Sequence, residues 1–157
     1  MNEIDLDKRV ELAVDLFKQG YNCSQSVVAA FADMYGFSRE QALKMAASFG
    51  GGIGRMRQTC GAACGLFMIA GLETGCTDPK NRMAKGANYE LVQQLAAEFR
   101  RQNGSIICGE LLGLQKDSPV VATPEERTAN YYAKRPCVKM VETAAKIWVK
   151  YYENMKK

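Results

Sequence analysis

Apolar residues recur along this chain at intervals of three and four, the period of an amphipathic helix. Over residues 3–19, Leu6, Val10, Ala13, Val14 and Phe17 share one face, and Gly20 follows as a C-cap. Asn22 reads as the cap of a second helix with Cys23, Val27, Ala30, Phe31 and Met34 inward, ending near Gly36. Ser38 with Gln41 three residues on is a capping box. It opens a third helix, with Ala42, Met45, Ala46 and Phe49 inward, that stops at the glycine run beginning at Gly50. Thr59 then caps a fourth helix over residues 60–73, apolar on every side and therefore buried, with Gly75 at its end.

Asp78-Pro79 is a cap followed by proline at the first helical position. It predicts a long helix with Met83, Ala87, Leu91, Leu95 and Phe99 on one face, up to Asn103-Gly104. Periodicity leaves residues 106–112 open between a short helix and a strand, and residues 115–122 read as loop. Thr123-Pro124-Glu125-Glu126 predicts a second capping box, and Pro136 opens a last helix with Cys137, Val141, Ala144, Trp148 and Tyr152 along one stripe. No repeat, linker or pair of alternating segments with a hairpin signal interrupts this series. The expected fold is all-α, a single-domain irregular bundle of about six to seven helices over residues 1–157.

Composition narrows the chemistry. At 157 residues, 47% apolar and 24% charged, the chain is long enough for a core of its own. Its net charge of +4 is spread along the sequence, with Arg100-Arg101 and Lys156-Lys157 at expected helix ends, where cations suit the dipole. That distribution predicts no nucleic-acid partner. The longest apolar run, Leu66 to Ala70, falls far short of the ~20 residues of a membrane span, and Met1 to Arg9 lacks the apolar stretch of a signal peptide. The expectation is a cytoplasmic protein without a membrane partner. In that reducing compartment six cysteines point to metal binding or redox chemistry rather than a disulfide framework. There is no histidine, which removes imidazole acid–base catalysis, Cys–His nucleophile pairs and histidine-ligated metals. Any metal here would be held mostly by sulfur.

The cysteines acquire a pattern once the helices are placed. Cys23 follows the cap Asn22, Cys60 follows Thr59, Cys137 follows Pro136, and Cys108 starts the segment Cys108-Gly109-Glu110-Leu111-Leu112. Four helix starts therefore each carry one thiol in the first turn, where free amides and the dipole favour thiolate. A buried cysteine also packs as a small hydrophobe, and the four lack the local Cys-x-x-Cys spacing of ferredoxins or zinc ribbons. Spacing alone leaves a shared site and four separate core positions both open. Cys64, one turn after Cys60, reads as a resolving thiol, an extra ligand or a small core residue, and Cys76 as an exposed loop residue. Gly51, Gly52 and Gly54 allow close backbone approach to a bound group. Arg55 and Arg57 would hold an anion, steady a thiolate at Cys60, or simply cover the loop. The Gly52-Ile53-Gly54 pair lacks the third glycine and the preceding strand of a dinucleotide site.

The segment Gly50-Gly51-Gly52-Ile53-Gly54-Arg55, followed by Thr59-Cys60-Gly61-Ala62-Ala63-Cys64-Gly65, resembles the signature of the redox-active proteins named for a C_GCAxxG_C_C pattern. Cys23 matches its first cysteine, Cys60, Gly61, Ala62 and Gly65 its central segment, and Cys108 and Cys137 its last two cysteines. The pattern also resembles a domain of the dimeric split-Soret cytochromes, whose haem attachment has no counterpart in this chain. The resemblance implies redox activity, and with it a homodimer and an iron–sulfur centre, such as [2Fe–2S], on Cys23, Cys60, Cys108 and Cys137. Gly51, Gly52, Gly54, Arg55 and Gly61 would lie against that centre, and its redox partner protein is not disclosed. Two alternatives stand beside it. One is a metal-free thiol–disulfide oxidoreductase with Cys60 attacking and Cys64 resolving. The other is a structural zinc site or a helical partner-binding module.

Overall fold

Asp5 accepts a hydrogen bond from the Lys8 amide and so starts α1 (Leu6–Lys18) of a computed structural model that describes residues 5–157. Residues 3 and 4 of the expected first helix, and the first four of the polar leader, lie outside them. Chain reversal at Gly20 leads to α2 (Cys23–Phe31), where Asn22 and Gln25 form a reciprocal capping box. A 3-10 turn over Ala32–Tyr35 and Gly36 in the left-handed region end that arm. Ser38 and Gln41 cap α3 (Arg39–Ala46) as expected, and a 3-10 turn over Ala47–Phe49 delivers the chain to the glycine run. Then come α4 (Gly61–Thr74), α5 (Arg82–Asn103), α6 (Cys108–Leu111), α7 (Ala129–Lys134) and α8 (Cys137–Met155). Of the described residues 67% are helical, with eight helices among them, and the class is all-α.

α4 is apolar all round because it is the centre: it packs against α2, α5 and α8. α2 and α8 in turn pack on α1, and α3 covers the far side of α2. The core joins Phe17 of α1, Val27 and Phe31 of α2, Leu66 and Ile69 of α4, Phe99 of α5 and Trp148 of α8, all essentially inaccessible to water. Gly65 sets how closely α4 approaches α2, since a β-carbon there would stand 2.9 Å from the Val27 β-carbon and 3.1 Å from the Ser24 carbonyl oxygen.

Several expected boundaries and faces are corrected. Thr59 does not cap α4; it pairs with Ile107 in an antiparallel bridge, and Cys60 takes the N-cap position. Asp78-Pro79 lies in a turn before α5: the Asp78 carboxylate accepts from the Lys80 amide, and Asn81 is the cap. The Thr123 box opens no helix, because the Thr123 carbonyl and the Glu125 carboxylate are both taken by arginines. Thr128 caps α7 instead. Met83 and Ala87 are exposed, Met83 at 87%, because the first half of α5 runs out beyond the packed core, and Met45 of α3 is 42% exposed.

The two kinds of helical glycine should respond oppositely to a methyl group. Gly86→Ala in α5, with open space around it, should stabilise by about 0.5–1 kcal/mol through helix propensity. Gly65→Ala should destabilise by about 1–3 kcal/mol through overpacking of α4 on α2. Urea unfolding of both variants checks the pair, and equal effects would contradict the packing described.

Candidate functional site

The glycine run determines where the helix starts meet. Gly51, Gly52, Ile53, Gly54 and Arg55 are consecutive left-handed residues, with φ between 58° and 75°, and Arg57 follows at 62°. Left-handed backbone costs an L-residue about 1–2 kcal/mol, and a β-branched residue such as Ile53 is seldom found there. Hydrogen bonds back to the preceding turn offset the cost: Ile53 donates to Phe49, Gly54 to Ser48, Arg55 to Gly50 and Gln58 to Gly52. The tight coil fits only because the glycines lack side chains. A β-carbon on Gly52 would stand 2.5 Å from the Cys108 β-carbon, and one on Gly50 would be 2.4 Å from the Asn22 side chain. At Gly61 it would meet the Phe49 carbonyl at 2.9 Å and the Cys23 β-carbon at 3.3 Å.

Backbone pairing completes the convergence. Cys60 N–H donates to Ile106 (2.7 Å), Cys108 N–H to Gln58 (2.6 Å) and Gly109 N–H to Arg57 (3.1 Å). The start of α4 is thereby laced to the start of α6. Cys23, Cys108 and Cys137 are the first residues of α2, α6 and α8, and Cys60 is the N-cap of α4. All four line one cavity of about 300 Å³, together with Gly51, Gly52, Gly54, Arg55 and Gly61. The four cysteines and the five residues nominated as backbone or arginine contacts thus lie on one cavity wall, while Cys64, offered as an extra ligand or resolving thiol, does not. Cys64 is buried behind it, its thiol donating to the Thr59 carbonyl at 3.7 Å, and Cys76 lies apart in the α4–α5 turn. All six cysteines are free thiols. Among the described residues, no three potential ligand groups stand close enough together to hold one metal ion.

The electrostatics of the thiols differ from one to the next. Burial pushes Cys60 up to about 12, against the pull of the Ala62 and Ala63 amides at the start of α4. Burial also pushes Cys64 up to about 11. Cys108 is raised by burial too, although the Arg57 guanidinium, 3.7 Å from its sulfur, opposes the shift. Cys137 goes the other way, to about 7: the Cys23 thiol donates a hydrogen bond to it, and Arg135, Arg127 and Arg57 add positive charge. Cys23 is correspondingly held well above the ordinary thiol range. The expected low-pKa thiol at Cys60 is therefore replaced by Cys137.

Most of the cavity roof comes from residues to which the sequence assigned no part in a site: Arg127, Thr123, Glu125 and Arg135. Arg127 donates to the Phe17 and Tyr21 carbonyls at the end of α1 (2.9 and 3.0 Å) and lies 4.2 Å over the Phe17 ring. Arg55 donates to the Thr123 carbonyl (2.5 Å), and both Arg55 and Arg135 reach the Glu125 carboxylate. Of these residues the sequence nominated Arg55 alone, and the place of Arg135, two residues before a helix-start cysteine, is the one further signal that pointed to the roof.

A family model described as "Putative redox-active protein (C_GCAxxG_C_C)" matches residues 21–151, and the chain belongs to that family. No curated protein and no solved structure matches it. Among the described residues, no helix is long and apolar enough to cross a membrane.

Alkylation of metal-free protein should follow the thiol order. Thiolate appears as pH rises through the pKa, so Cys137 should be modified with a midpoint near about 7 while Cys60 stays unmodified until pH is far higher. Mass-spectrometric mapping of iodoacetamide labelling against pH checks this, and Arg135→Gln should move the Cys137 midpoint upward.

Proposed function

We propose that this redox-active family member holds an iron–sulfur cluster in the thiol-lined cavity, on Cys23, Cys60, Cys108 and Cys137, and works in electron transfer. The observation that carries this reading is the meeting of four cysteine-bearing helix starts on one cavity of about 300 Å³. The donor set is sulfur only, which suits iron–sulfur chemistry, and amides at the helix starts are the donors that stabilise cluster sulfurs. A single zinc ion needs its four sulfurs ~2.3 Å from the metal and hence close to one another. A [2Fe–2S] centre would instead spread the four thiolates over two irons, two to each.

Such a centre, when bound, exchanges one electron at a time. The chain's own residues do the rest. The four thiols give up their protons on ligation, and Arg57, Arg127 and Arg135 balance the negative charge that the thiolates bring. Phe17, Leu111, Leu112 and Met140 line the same cavity and exclude water from it. Arg57, in contact with the Cys108 sulfur, favours the state with the extra electron.

One observation favours a second reading, metal-free thiol–disulfide exchange: the lowered thiol of Cys137 beside Cys23. The Cys137 thiolate would attack a substrate disulfide and release one substrate thiolate. Cys23, losing its proton, would then displace the other and close a Cys23–Cys137 disulfide, so the substrate gains the two electrons that the pair loses.

Anaerobically purified protein should be coloured and contain iron with acid-labile sulfide. Replacing Cys23, Cys60, Cys108 or Cys137 by Ser should each lower the iron content, while Cys76→Ser leaves it unchanged. Arg57→Gln should make the reduction potential more negative. Colourless protein that takes up no iron on reconstitution would refute the cluster; a stoichiometric zinc without redox change would support the structural site instead.

A further inference from the structure

Of the cavity arginines, only Arg57 hydrogen-bonds a sulfur among the described residues. Arg57 touches Cys108, but Arg55 makes its polar contacts with the segment between α6 and α7. Its Nη1 donates to the Thr123 carbonyl at 2.5 Å, and its Nη2 stands 3.9 Å from the Glu125 carboxylate. Its Nε is buried and has no hydrogen-bond partner among the described residues. Arg135 engages the same Glu125 oxygen, and both guanidiniums are largely covered, at 17% and 16% exposure, against 52% for Glu125. Burial first, and then the like charges of Arg57 and Arg135, weaken the hold of Arg55 on its proton. One carboxylate oxygen therefore serves two buried cations and leaves a positive surplus and a spare donor.

We propose that this end of the cavity is a binding site for a small divalent oxyanion of the phosphate or sulfate type, seated between Arg55 and Arg135 in place of the Glu125 carboxylate. A dianion balances both guanidiniums, whereas the carboxylate balances one. Two planar arginine forks also suit a tetrahedral oxyanion, which offers oxygens in several directions. Glu125 can give way readily: it is half exposed, sits on a stretch without helix, and is rehydrated on leaving. The site would place an anionic reactant or effector beside the thiols, yet it rests on the arginines and not on iron.

Calorimetric titration of inorganic phosphate and of sulfate into the full chain, against chloride at matched ionic strength and against acetate, tests this. Glu125→Gln frees both arginines and should tighten phosphate binding roughly tenfold, the size of one charge-assisted hydrogen bond. In the Glu125→Gln background, Arg55→Gln should abolish binding. Arg55→Lys, which keeps the charge and loses the Nε, should weaken it, and this variant decides the matter if Arg55→Gln fails to fold by circular dichroism. Phosphate binding no stronger than chloride in Glu125→Gln, acetate binding as tight as phosphate, or affinity unchanged by Arg55→Lys would each overturn the proposal. Iron assayed in the same samples keeps the two readings separate, because anion binding is expected with or without a cluster.

Discussion

Helix starts carry unpaired amide hydrogens and a partial positive charge, so bringing several to one point needs negative charge or hydrogen-bond acceptors between them. Here the starts of α2, α4, α6 and α8 converge, and Arg55, Arg57, Arg127 and Arg135 are added to the same cavity. The groups placed between them are four cysteines, which are neutral and only weak acceptors as thiols and become strong acceptors as thiolates or as ligands of an anionic centre. That constraint runs through the rest of the molecule. The bundle of α1, α2, α4 and α8 fixes the positions of three of the starts, and the glycine coil is what lets them close on one another.

The two halves of the site are built by different forces. The wall of helix starts rests on close packing: Gly52 under Cys108 and Gly61 against Cys23 leave no space for a side chain, and Gly65 beneath them keeps α4 tight on α2. The roof between α6 and α8 rests on arginines instead, through carbonyl contacts, one shared carboxylate and the stack of Arg127 on Phe17. Its residues from 113 to 126 are almost all exposed, so it adds little to the apolar core.

Legibility of the sequence tracked how local each determinant was. The caps at Asn22 and Ser38, the stop at Gly104 and the stripe Leu91, Leu95, Phe99 all depend on neighbours within one or two turns, and each stands where its pattern placed it. The boundaries that moved were those where a distant partner competed for the capping group. Thr59 was drawn into pairing with Ile107, and Thr123 and Glu125 were claimed by Arg55 and Arg135. Met83 and Ala87 fit the helical stripe but face water, because periodicity shows which residues share a side of α5 and not how far the neighbouring helices extend along it.

By itself, then, the sequence determined an all-α chain, a family membership carried by cysteine order and flanks, and a thiol at each of four helix starts. These follow from short-range chemistry: hydrogen-bond caps, the helical period, and the kinds of residue present. Only the tertiary structure decided that the four thiols open onto one cavity, that Cys137 rather than Cys60 is the acidic one, and that Arg55 faces Glu125 instead of a sulfur. Each of those depends on burial and on charges contributed from far along the chain, and neither is a property of any segment read alone.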